Sequence, residues 1–111
     1  MQEIWYLAKL FFSMQLGLAT NFSYENDKFN PNPYAACLRR DLRASDVVIA
    51  HRKLPCKSKV FIYSPRTGRW VVARVGDRGP RAADLDLAPA TTKALKANGW
   101  EHILFIPIFT P

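Results

Sequence analysis

Asp77 is the residue of this chain best placed to do chemistry. It closes the apolar run Trp70-Val71-Val72-Ala73-Arg74-Val75-Gly76 and opens onto Arg78-Gly79-Pro80. A carboxyl group delivered at a strand end into a Gly-Pro bend, with one histidine (His51) and several arginines nearby in sequence, suits general acid/base chemistry. It equally suits a β-hairpin whose Asp merely caps the next turn. His51 either orients Asp77, binds a substrate hydroxyl, or ties strand to loop. Arg52, Arg69, Arg78 and Arg81 are the candidate cations for substrate.

The elements that must position these groups are short. Val60 and Ile62, then Trp70, Val72 and Arg74, follow the period of two of half-buried strands. Ser64-Pro65-Arg66-Thr67-Gly68 between them is turn chemistry, because Pro presets one turn position and Gly supplies positive φ at another. Tyr34-Ala35-Ala36 reads as the first strand. Residues 88–98 read as a short helix, with Pro89 in its first turn and Asn98-Gly99 ending it. Residues 102–109 form a continuous apolar strand, Trp100 is expected to plug the core, and His102 to lie at the surface.

At 111 residues the chain is one domain, and a hydrophobic content of 49% supports a packed core. The formal charge is +7. It is unevenly placed, with twelve Lys/Arg against three acids between Cys37 and Arg81. Such a patch attracts polyanions. Nucleic acid is not expected, because no helix-turn-helix, zinc or aromatic RNA-binding signature accompanies the charge. Cys37 and Cys56 have no metal-ligand spacing, so neither metal nor cofactor is expected. They form either a disulfide between the first strand and the next segment, which is the expectation, or two buried free thiols.

Residues 4–19 are almost wholly apolar. Gln2, Lys9, Ser13 and Thr20 make one narrow polar stripe on a helix. The stretch falls short of the ~20 residues that span a bilayer. It is also a poor signal peptide, because Glu3 stands where a basic region belongs. Its greasy faces call for a protein partner. The chain therefore divides into an apolar helix or anchor (1–20), a linker rich in Asn and Pro (21–33), and a folded domain (34–111).

Four motifs recur in a known order: His51-Arg52-Lys53-Leu54-Pro55, Arg66-Thr67-Gly68-Arg69, Val75-Gly76-Asp77-Arg78-Gly79-Pro80 and Leu85-Asp86-Leu87. Together they resemble the RlpA-like (rare lipoprotein A) double-psi β-barrel domain, over roughly residues 35–108. The resemblance implies an all-β fold, a small six-stranded barrel related to barwin and expansins, here with a short helix and the N-terminal apolar helix. It implies a role on peptidoglycan glycan strands outside the cytoplasm, and for many such proteins lytic transglycosylase activity. Asp77 and His51 match the family's motif residues. The family's upstream Glu, in a Gly-Glu-x-Phe context, has no clear counterpart in residues 38–42; Asp41 or Asp46 would have to substitute, although neither sits in the family's local pattern.

A lytic transglycosylase cleaves its glycan without water, and a single acid/base suffices. Asp77 is the candidate, which requires the Arg78 guanidinium to point away. A cell-wall domain with no signal peptide would fit a bacteriophage tail or baseplate component. The alternative is a non-catalytic glycan-binding or structural barrel of a larger assembly.

Overall fold

A computed structural model describes residues 14–21 and 33–108. Its elements are β1 (Gln15–Asn21), β2 (Tyr34–Ala35), β3 (Arg40–Asp41), β4 (Val48–Ala50), β5 (Lys59–Tyr63), β6 (Trp70–Asp77), β7 (Leu85–Leu87), α1 (Pro89–Leu95) and β8 (Glu101–Ile108). Six strands close a barrel in the order β1-β7-β4-β6-β5-β8, and β8 pairs back onto β1. The β1–β7 and β4–β6 pairs are parallel and the other four are antiparallel. The expected all-β six-stranded barrel with a short helix is therefore the fold.

The sequence pattern explains the strands. Val60, Ile62, Ala73 and Val75 alternate inward and are fully buried, while Trp70, Val72 and Arg74 face out. Ile49, Leu85, Leu87, Leu95 and Ile103 fill the interior with them. Gly68, at φ +72°, closes the β5–β6 turn by donating its N–H to Ser64 O.

Several expectations are corrected. Residues 15–19 are strand, not helix, and the barrel begins at Gln15 rather than at residue 34. β1 fills the seam between β7 and β8, and the ladder bonds on both sides outweigh the helical patterning. Gly17 is the tight point, since a Cβ there would lie 2.7 Å from Phe105 Cε1. Residues 4–13 of the expected helix, and 22–32 of the expected linker, lie outside the described residues. Tyr34 and Ala35 do not start the barrel. They pair with β3 in a separate two-stranded ribbon whose turn carries Cys37. The helix α1 ends at Leu95 instead of Asn98, because Lys96 takes the left-handed conformation (φ 50°) and its N–H returns to Lys93 O. Trp100 is 60% exposed rather than a core plug, because Glu101 and Ile103 take the inward positions at the start of β8.

Candidate functional site

Gly76 decides where Asp77 points. Ala73 and Val75 face the interior, so strict alternation would send Asp77 inward too. The parallel register between β4 and β6 instead runs Val48↔Arg74, Ile49↔Val75, Ala50↔Asp77, leaving Gly76 unpaired as a bulge. The extra residue turns Asp77 onto the outer face. Only glycine fits, because a Cβ at Gly76 would lie 2.8 Å from Val48 Cβ and 3.0 Å from both its γ-carbons. The bulged carbonyl is also used: Gly76 O accepts the N–H groups of Cys37 and Leu38.

The same register brings a second carboxylate into line. Asp86 lies between the buried Leu85 and Leu87 and so faces out. It pairs with Ala50 on one side and with Thr20 on the other. Thr20, Asp86, Ala50 and Asp77 thus form one row across four neighbouring strands. Strand spacing sets the two aspartates roughly 10 Å apart at their Cα atoms. Thr20 Oγ1 donates to Asp86 Oδ1 at 2.8 Å. Neither Thr20 nor Asp86 was singled out as a site residue from sequence. The available signal was Leu85-Asp86-Leu87, an acid forced outward between two inward leucines.

Asp77 Oδ1 accepts the N–H groups of Ala36 at 3.1 Å and Arg78 at 2.8 Å. Two donors on one oxygen fix the side chain. The Arg78 guanidinium points away, as an acid/base role for Asp77 demands. It donates to the carbonyls of His51 and Leu54 and to Cys56 Sγ. Arg52 likewise spans a loop, donating to the carbonyls of Pro80, Arg81 and Ala83. Both arginines brace the site's walls.

His51 stands beside Asp77 through its backbone, donating its N–H to Asp77 O at 3.1 Å. Its Nδ1 accepts from Lys53 N and Leu54 N, both at 3.0 Å, so the ring proton resides on Nε2. Burial holds the imidazole below its usual pKa, and the charges of Arg52 and Arg78 push the same way, with Asp84 opposing. His51 is therefore a fixed neutral donor. Asp84 is a further residue that sequence reading passed over. It exchanges two hydrogen bonds with the backbone of Leu18 and, with Arg52 and the exposed Arg81, lines a hollow of about 200 Å³.

Not every candidate converges here. Arg69 precedes the opposite end of β6, roughly 25 Å along the strand from Asp77. Asp46 is committed elsewhere: Arg40 grips it with two bonds of 2.8 Å, and Arg43 N adds a third. The Arg40 hydrogen bond is the main reason its pKa lies below the ordinary carboxylate value. Asp41 is exposed on β3. Cys37 and Cys56 form the expected disulfide, with Cα atoms 5.0 Å apart. It pins the β2–β3 turn, which supplies Ala36 N to Asp77, against the loop that follows His51.

This closed barrel, with two parallel strand pairs and an outer-face acidic row, is a double-psi β-barrel. Expansin from Clavibacter michiganensis superposes with a TM-score of 0.65 at 21% identity, covering 88% of this chain and 52% of that one. Streptomyces papain inhibitor does so at 0.62 and 18%, covering 86% and 94%. No protein-family model matches the chain. Two curated sequences named probable endolytic peptidoglycan transglycosylase RlpA do. The one from Treponema pallidum (strain Nichols) is 32% identical over 95 residues, 83% of this chain and 29% of the relative. The one from Nostoc sp. (strain PCC 7120) is 32% identical over 85 residues, 75% of this chain and 19% of the relative. The chain thus spans less than a third of the length of either relative. It belongs to the RlpA-like double-psi β-barrel domains.

Proposed function

We propose that this domain lays the glycan strand of peptidoglycan across the row of Thr20, Asp86, Ala50 and Asp77 and cleaves it as a lytic transglycosylase. The row itself carries the reading. Two half-buried carboxylates share one outer face on either side of the buried Ala50, one of them braced on a single oxygen, in a domain whose curated relatives are named for peptidoglycan transglycosylation. In the reaction, the Asp77 carboxyl at Oδ2 gives its proton to the glycosidic oxygen as the C1–O bond breaks. The muramyl 6-hydroxyl then closes on C1, and its proton returns to Asp77, leaving a 1,6-anhydro end with no water consumed. Asp86, held by Thr20, binds a sugar hydroxyl. His51, whose ring stands edge-on to the core Phe105, positions Asp77 through its backbone N–H, while Arg81, with Arg52 behind it, faces anionic groups of the wall. Work on the wall places the domain outside the cytoplasm, where its disulfide persists.

The second reading is glycan binding without cleavage. It is favoured by Asp46 being locked to Arg40, which leaves the family's upstream acid without a replacement there, and by an expansin fold-neighbour solved in complex with cellohexaose. The phage-particle reading, and the protein partner proposed with it, rest on the apolar segment 4–19, of which residues 15–19 form β1.

Muropeptide analysis separates the two readings. Purified wall incubated with the protein should yield 1,6-anhydro ends, and Asp77→Asn should yield none. A chain that sediments with wall but releases no anhydro ends is a binder. A chain that does neither ends both readings.

A further inference from the structure

An exposed aromatic stands at the far end of the acidic row. β1 and β8 pair as far as Ala19↔Glu101. Thr20 follows Ala19 on β1 and Trp100 immediately precedes β8, so the register continued by one residue would set them side by side at the same edge. Going around the wall from Trp100 to Thr20, Asp86, Ala50 and Asp77 crosses four strand spacings, roughly 19 Å. That length accommodates several sugar units of an extended glycan.

Trp100 also borders a built cleft. The cleft measures about 470 Å³ and is lined by Pro65, Arg66, Asn98, Trp100, Glu101 and His102. Its walls are tied together from below. The buried Glu101 carboxylate accepts from Arg66 Nε, Ser64 Oγ and Asn98 N, and Arg66 also donates to Lys96 O. Those bonds hold the β5–β6 turn against the loop before β8, so the opening is pre-formed. Trp100 is 60% exposed although one indole is among the largest apolar side chains a core can use. An apolar ring face beside a fixed guanidinium, an amide and an exposed imidazole matches a pyranose, which pairs a C–H face with an equatorial rim of hydroxyl and acetamido groups.

We infer that Trp100 and its cleft form a distal subsite that stacks an N-acetylhexosamine unit of the same glycan strand bound at the row. This rests on the glycan reading of the row and extends it to substrate length. The domain should therefore prefer long, unbranched glycan over disaccharide, with Trp100 supplying the difference.

The test is an NMR titration of the full ¹⁵N-labelled chain with N-acetylglucosamine dimer and hexamer. The hexamer should shift the Trp100 indole N–H together with the amides of Ala50, Asp77 and Asp86. The dimer should bind more weakly. Trp100→Ala, which removes an exposed ring, should keep the dispersed spectrum and weaken the hexamer about five- to tenfold while leaving the dimer unchanged. Row amides that shift with the hexamer while Trp100 stays silent, or an unchanged hexamer affinity in Trp100→Ala, would overturn the subsite and leave the row intact. A row silent to both oligomers would end the glycan reading, and the subsite with it.

Discussion

Replacing Gly76 by alanine tests whether the bulge aims Asp77. The new methyl would meet Val48 Cβ at 2.8 Å and both Val48 γ-carbons at 3.0 Å. Val48 is β-branched and already buried, so no rotamer takes both γ-carbons out of the way. The strands must part, and β4 and β6 are the strands that carry Ala50 and Asp77. Overpacking of this kind costs about 1–3 kcal/mol. In a domain of this size that lowers Tm by roughly 4–20 °C. Thermal unfolding followed by circular dichroism reads the loss. Val48→Ala alone leaves a cavity and is destabilising too. The double variant removes both γ-carbon contacts but keeps the 2.8 Å contact with the Cβ of residue 48, so it relieves the clash in part, and the two changes should be non-additive in the stabilising direction by a fraction of the overpacking cost. Activity on wall should follow the same pattern, falling in Gly76→Ala and recovering in part in the double variant. A Gly76→Ala protein that melts with the parent, or strictly additive losses, would refute the account of the bulge.

Other outcomes follow from the same geometry. Asp86→Asn should weaken glycan binding in the titration above, and Thr20→Val, which removes the hydroxyl held on Asp86 Oδ1, should do so to a smaller degree. Replacing both cysteines by serine should cost roughly 3 kcal/mol in a denaturant melt, by the loop-entropy argument. It should also speed hydrogen exchange at Ala36 N, whose acceptor is Asp77 Oδ1. His51 is held below its ordinary pKa of 6.5 chiefly by burial, so the folded chain takes up fewer protons there than the unfolded one. The stability it contributes is complete above pH 6.5 and is lost as pH falls through the lower folded value. His51→Asn keeps an acceptor for Lys53 N and Leu54 N, and should flatten that part of the pH–stability curve.

The sequence made the central hairpin legible because its two strands alternate cleanly and its turn residues have few other uses. Asp77 was legible for the same reason: it ends a strand at a Gly-Pro bend. β1 was not, because Gly17 and Leu18 continue a long apolar run, and nothing local says that two distant strands, β7 and β8, will pair with them. Thr20 looked like one member of a helical polar stripe, whereas in the barrel it is the neighbour of Asp86. Trp100 was read as core because large aromatics usually are. Its outward aim depends on the phase of β8, set one residue later by the burial of Glu101.

Period and turn chemistry specify each strand, but the site is a row perpendicular to the strands. Thr20, Asp86, Ala50 and Asp77 come from four segments and share a face only because three registers agree. One of those registers contains a bulge, and a slip of one residue in any of them would point a member of the row into the core. The acid/base candidate and its neighbours are thus specified by pairing partners more than by their own sequence contexts. The glycine that permits the bulge belongs to the site as much as the carboxylates do, although it touches no substrate.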